Sequence, residues 1–286
     1  MWVIFAFGSA LFAGITAILA KIGIRNTDSN VATAIRTIVI LIFSWMMVIV
    51  VGAQNTVGEI NSKTLIFLIL SGMATGGSWL CYFKSLQLGD VNKVTPIDKS
   101  STVLTMLLAF IILGESITIF KIIAMISIGT GSYLMITRKN VTVNPTEGNK
   151  WMIYAISSAV FASLTSILGK IGIQEIDSNL GTAIRTIVVL IMAWIVVFVT
   201  GKQNEIAKID KKSIIYLCFS GITTGLSWLC YYKALQDGQA SIVVPIDKLS
   251  IIITIAFSYL FLNEKLTRKS LLGLCFMVIG TLLLLI

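Results

Sequence analysis

Apolar runs of roughly twenty residues alternate with short polar breaks along this chain, and the alternation predicts ten helices. They fall at about 2–23, 31–51, 65–87, 93–113 and 117–137, then at about 151–172, 180–200, 213–236, 242–262 and 267–286. A run of that length covers a bilayer core of about 30 Å. A barrel would show shorter segments of strict alternation. Asp28-Ser29-Asn30 and Asp177-Ser178-Asn179 place capping side chains in front of the second and seventh runs. Pro96 and Pro245 are expected to open the fourth and ninth spans, where a missing N–H is tolerated.

Composition agrees with this pattern. The 286 residues are 56% hydrophobic and 12% charged, about half the charge of an ordinary soluble domain. The chain reads as an all-α integral membrane protein. Met1-Trp2-Val3 enters the first run without a basic leader or cleavage site, so no secretory signal is expected. The net charge of +9 sits between spans, which points to cytoplasmic loops and excludes nucleic acid as the partner. Histidine is absent, which removes His-based metal sites and acid–base catalysis; no enzyme activity, metal or cofactor is expected. Cys81, Cys218, Cys230 and Cys275 lie inside apolar runs and read as small buried hydrophobes. Lys21, Lys84, Lys170 and Lys233 lie near span ends and are expected to snorkel.

The chain repeats itself. Lys21-Ile22-Gly23-Ile24, Asp28-Ser29-Asn30 and Thr33 to Ile38 recur, in order, between Lys170 and Ile187. Ser78-Trp79-Leu80-Cys81-Tyr82 recurs as Ser227-Trp228-Leu229-Cys230-Tyr231, Pro96-Ile97-Asp98-Lys99 as Pro245-Ile246-Asp247-Lys248, and Glu115 as Glu264, always 149 positions later. Two units, 1–137 and 151–286, are thus joined by a polar linker at 138–150. Five spans per unit is an odd number, so the second unit is expected to enter the membrane upside down, giving two inverted five-helix repeats. Basic residues collect on one face, among them Lys21, Arg25, Arg138, Lys139, Lys202 and Lys211. That face is predicted to be cytoplasmic, with both termini outside.

Several spans carry polar stripes at helical spacing. Trp79 and Tyr82 share one with Thr75 and Ser78, and Trp228 and Tyr231 repeat it; Thr105 follows Asp98, and Thr254 follows Asp247. Arg36 and Arg185 lie inside the second and seventh spans. Small hydroxyl residues alone are also what close helix packing uses, as are Gly72-x-x-x-Gly76 and Gly221-x-x-x-Gly225. Charged residues inside a span face a protein interior or a wet cavity rather than lipid. Asp98, Lys99, Asp247, Lys248, Arg36, Arg185, Trp79, Tyr82, Trp228, Tyr231, Thr105 and Thr254 are therefore the candidate lining of a substrate or proton pathway. Adjacent on one helix, Asp98 and Lys99 point about 100° apart and make poor partners. Glu115 and Glu264 sit at span ends and read as structural.

Tyr231-Tyr232-Lys233-Ala234-Leu235-Gln236, Pro245, and Phe261-Leu262-Asn263-Glu264-Lys265-Leu266-Thr267 resemble an EamA-type unit of the drug/metabolite transporter superfamily. Lys84-Ser85-Leu86-Gln87, Pro96 and Leu113-Gly114-Glu115 carry the same resemblance in the first half. Two such units cover nearly the whole chain. The resemblance implies ten spans, transport of small metabolites, and termini drawn on the cytoplasmic side, against the loop charges of this chain. Asp98-Lys99 departs from the apolar filling more common after that proline.

The expected function is secondary active transport, as an exporter or exchanger, of a small polar, anionic or zwitterionic metabolite by alternating access. Two aspartates against two arginines and two lysines favour an anionic or zwitterionic substrate, and protons are the expected coupling ion. The expected setting is a bacterial or archaeal plasma membrane, with the lipid bilayer and a small molecule as partners and the protein as monomer or homodimer. A cation or drug exporter using the two aspartates, and a non-transporting scaffold or receptor, are the alternatives; a continuous wet cavity between the halves, lined by both aspartates, would favour transport over the latter.

Overall fold

The computed structural model describes residues 1–24, 27–88, 94, 97–98, 100–135, 150–262 and 267–286, except the side chains of residues 21, 83, 86–87 and 257–262. Lys99, Pro96, Glu264 and most of the 138–150 linker lie outside the described residues. The described helices are α1 (Trp2–Gly23), α2 (Ser29–Val50), α3 (Ser62–Leu88), α4 (Ser101–Ile112), α5 (Ile119–Leu134), α6 (Lys150–Gly172), α7 (Ser178–Val199), α8 (Lys211–Asp237), α9 (Ala240–Lys248), α10 (Ser250–Leu262) and α11 (Arg268–Leu283). Six of them, α1–α3 and α6–α8, are long and apolar enough to cross a bilayer alone. At 12 residues α4 is too short for that.

The expected caps form. Asp28 accepts from the N–H groups of Asn30 and Val31, and Asp177 from those of Asn179 and Leu180. Asp210 does the same for α8 at Ser213, whose hydroxyl and N–H hold its carboxyl below the usual range. Along α2, small or polar residues such as Ala34, Thr37 and Ser44 turn inward, while Ile42, Met46 and Ile49 face out. Large apolar side chains outside and small ones between helices is the pattern expected when lipid is the solvent.

Each long helix packs against one from the other unit: α3 with α6, α1 with α8, α2 with α7, and α5 with α11. Equivalent helices α2 and α7 run antiparallel. Asp28 and Asn30, before and at the start of α2, meet Lys202 and Thr200 just beyond α7, and Val48 near the end of α2 clusters with Leu180 at the start of α7. Glycines set the closest approaches. A methyl group on Gly131 would lie 2.6 Å from the carbonyl oxygen of Gly273, and one on Gly273 the same distance from that of Gly131. Gly72 and Gly221 sit equally tightly, each 2.7 Å by the same measure from the β-carbon of Val188 or Val39.

Three readings are corrected. Pro245 does not open its span but sits inside α9, whose N-terminus is at Ala240. Without an N–H, Pro245 cannot donate to the carbonyl one turn back. The helix runs only to Lys248, and a tight turn follows in which the Leu249 N–H bonds to Ile246 O. The ninth apolar run is thus two helices meeting at Leu249. Ile97 and Asp98 are likewise helical and lead through a turn at Ser100 into α4. Lys170 does not snorkel: it is buried, 3.6 Å from Glu115, and donates to Gly238 O. None of the cysteines is fully buried: Cys275 is exposed, and Cys81, Cys218 and Cys230 are only partly covered.

Candidate functional site

One face of the bundle carries the ends of α6 and α8 and the start of α9. There Glu115 accepts from the Ala240 N–H (2.6 Å), the Ser241 N–H (3.0 Å) and the Ser241 hydroxyl, capping α9. Lys170 pairs with the same carboxylate, Gln236 donates to Ile173 O and Ile176 O, and Lys121 donates to Gln239 and Ser116 O. The largest buried apolar cluster, including Leu68, Ile173, Leu235 and Val244, lies beside this network. Glu115 thus joins the start of α9 to the end of α6 through contacts that only the folded chain reveals.

Toward the middle of the bundle, two cavities meet at Trp79 and Trp228. One, of about 280 Å³, is bordered by Thr75, Ser78, Thr165, Ser166, Arg185, Ser227, Tyr231, Tyr232, Asp247 and Lys248 as well as both tryptophans. The other, of about 210 Å³, is bordered by Thr33, Arg36, Thr37, Ile40 and Thr224 with the same tryptophans. Both draw residues from both units.

The aspartates sit at the helix breaks, and each bonds to the opposite unit. Asp247 accepts from Ser9 at 2.5 Å and lies 4.0 Å from Lys248. Asp98 accepts from Ser158 at 3.1 Å and, unlike Asp247, borders neither cavity. Ser9 in turn meets Ser227, and Ser158 meets Ser78. These are the same contacts repeated 149 positions on. Because Lys248 follows Asp247 directly, 4.0 Å is a loose pair, as the helical geometry predicts.

The arginines share a sequence context but not an environment. Arg185 is 2% exposed. Its Nε donates to Ser71 (2.9 Å) and its Nη2 to Thr75 (2.5 Å), and the guanidinium lies 5.2 Å from the Trp228 ring and 4.8 Å from that of Tyr232. Arg36 Nη2 donates to Thr224 at 2.8 Å, while its Nε is buried without a partner. Among the described residues no carboxylate lies within 4.0 Å of either guanidinium.

Of the remaining candidates, Tyr231 borders the larger cavity and shares a hydrogen bond with Ser166. Tyr82 is half-buried and borders neither cavity. Thr105 and Thr254 turn their hydroxyls back to Ser101 O and Ser250 O and also lie outside both. Sequence reasoning did not single out Tyr232 or Ser166. The available signal was a departure from the repeat, since their equivalents are Phe83 and Ala17.

The sequence profile of the EamA-like transporter family matches residues 1–137 and 149–286. An uncharacterized transporter encoded in the cobO 3′ region of a Sinorhizobium species is 42% identical over 134 residues, which is 47% of this chain and 95% of that protein. An uncharacterized transporter of Archaeoglobus fulgidus is 22% identical over 79% of this chain and 78% of its own length. A solved crystal structure superposes with a TM-score of 0.80 at 13% identity, covering 98% of this chain and 95% of that one, and so shares the fold.

Proposed function

Since the chain belongs to the EamA-like transporter family and is a multi-pass membrane protein, we propose that it is a secondary active exporter or exchanger that moves a small anionic or zwitterionic metabolite by alternating access, coupled to protons. The observation that carries this reading is the pair of cavities at Trp79 and Trp228, walled by both units and holding Arg36, Arg185, Asp247 and Lys248 inside an apolar bundle. A scaffold has no need of intramembrane charge facing a cavity.

In this reading the two units are inverted repeats of five spans, with α9 and α10 forming one broken span and the helix at Asp98 forming another with α4. Antiparallel α2 and α7 and the exchanged Ser–Asp bonds support it. Broken helices at the centre of inverted repeats are a recurring way to place substrate and ion sites. Asp98 and Asp247, one per unit and each held by a serine of the other unit, carry the proton. The basic face is cytoplasmic and the Glu115 face external, with both termini outside; a terminal reporter active only in the cytoplasm would reverse that assignment.

The test is uptake into proteoliposomes under an imposed pH gradient, screened over amino acids, organic acids and quaternary amines. Gradient-driven uptake of an anionic or zwitterionic solute, lost in the Asp98→Asn, Asp247→Asn double variant with exchange retained, is the expected result. Unchanged uptake in that variant removes the coupling role, and selective uptake of quaternary amines favours the cation exporter.

A further inference from the structure

We propose that Arg36 alone, and not its repeat partner Arg185, is the anion-binding residue in the conformation described, and that its ligand is a monocarboxylate whose apolar body lies between Trp79 and Trp228. This assignment rests on the transport reading of the same cavities. It narrows that reading to one residue and one chemical class.

Four buried side-chain atoms among the described residues lack a partner, and Arg36 Nε is the one that belongs to a charged group. An ionised donor buried without an acceptor is costly, more so than a neutral one. Arg36 borders a cavity. Arg185 has no comparable vacancy, because Ser71, Thr75 and two aromatic rings already occupy it. Helix spacing does not explain the difference. A methyl on Gly72 would lie 3.1 Å from Arg185 O and one on Gly221 3.0 Å from Arg36 O, so the two arginine-bearing helices approach their neighbours equally. The equivalent of Ser71 is Ser220, and both donate to the equivalent backbone carbonyl of the opposite unit, Thr165 O and Thr16 O, but only Ser71 also accepts from its arginine. What differs is where the guanidinium points.

The cavity wall then selects the ligand. The hydroxyls of Thr33, Thr37 and Thr224 all donate to backbone carbonyls, of Ser29, Thr33 and Ser220. Among its described residues the cavity therefore offers a single cationic donor, the Arg36 guanidinium, beside the neutral indoles of Trp79 and Trp228. A planar guanidinium fork matches the two oxygens of a carboxylate. A phosphate would bring additional charge with no second cation in this cavity to meet it. Ile40 and the two tryptophans supply apolar and aromatic surface for the rest of the molecule. Among the described cavity residues, Arg36, Arg185 and Lys248 outweigh Asp247, which also favours an anion.

Purified full-length protein in detergent is titrated with benzoate, acetate, benzamide and inorganic phosphate, read by tryptophan fluorescence and isothermal calorimetry. Wild-type protein is expected to bind benzoate more tightly than acetate, and benzamide and phosphate weakly or not at all. Arg36→Gln is expected to weaken benzoate by about tenfold or more, the loss of one charge-assisted hydrogen bond, and Arg36→Lys to restore part of it. Thermal unfolding of each variant shows that the fold persists. A variant that does not fold is replaced by Ile40→Asp, whose carboxylate is expected to compete for Arg36 and weaken benzoate. Equal binding of benzoate and benzamide, stronger binding of phosphate, undiminished benzoate binding by Arg36→Gln, or no benzoate binding by wild type each overturns the assignment. Because this assay reads binding without flux, benzoate binding that depends on Arg36 alongside absent transport would overturn the transport reading while leaving the anion site standing.

Discussion

Arg36 and Arg185 occupy equivalent places in two copies of one sequence, yet one is locked and the other is half free. The lock at Arg185 includes Tyr232, whose ring lies against Gly169: a methyl on Gly169 would sit 2.7 Å from the ring and 3.1 Å from the Ser71 hydroxyl. The first unit has Ala20 where the second has Gly169, and Phe83 where it has Tyr232. Gly169 thus makes room for the Tyr232 ring beside Arg185. The comparison teaches that a duplicated unit need not build a duplicated site. The shared residues make the scaffold, and the few unshared ones decide which copy holds its charge and which offers it.

Matched substitutions in the two units test this difference, beginning with the largest effect. Arg185→Ala removes two charge-assisted hydrogen bonds and leaves Ser71 and Thr75 facing a void, so it should lower stability by about 3 kcal/mol or more, whereas Arg36→Ala should change it by less than about 1 kcal/mol. Thermal unfolding followed by tryptophan fluorescence measures both, and equal losses would dissolve the contrast. Gly169→Ala forces Tyr232 away from Arg185 and should destabilise by about 1–3 kcal/mol, while the reciprocal Ala20→Gly should cost only about 1 kcal/mol through helix propensity. The smallest effects concern the aspartates. Ser9→Ala removes the 2.5 Å bond to Asp247 and Ser158→Ala the 3.1 Å bond to Asp98; each should cost about 0.5–1.5 kcal/mol, with Ser9→Ala the larger. The reverse order in the same unfolding assay would show that the bond lengths do not report the strength of these contacts.

The local and periodic features were legible in the sequence. The caps at Asp28 and Asp177 depend on residues within three positions, and the repeat is written in the spacing of Pro-Ile-Asp-Lys. The inward-facing stripe on α3 and α8 was also readable, because Trp79, Trp228 and Tyr231 recur at helical intervals. The break at Leu249 was not placed, because a proline alone does not say whether a helix begins at it or ends soon after. The Glu115–Lys170 pair spans 55 positions and depends on how α6 meets the chain after α4. The unequal arginines were hidden for a related reason. Ala20 and Gly169 can be read off the page, but their meaning depends on which ring arrives from α8.

Alternating access is the core of the account, and cysteine labelling at one pair of equivalent positions tests it most directly. Thr33 borders the Arg36 cavity, and its equivalent Thr182 is fully buried on the Arg185 side. Each is replaced by cysteine in a protein whose native cysteines have been removed, reconstituted in proteoliposomes and exposed to a membrane-impermeant maleimide under opposite pH gradients. The account predicts that position 33 reacts and position 182 does not under one gradient, and that reversing the gradient slows labelling at 33 while opening 182. Labelling that rises and falls together at both positions, or that ignores the gradient at both, would contradict it.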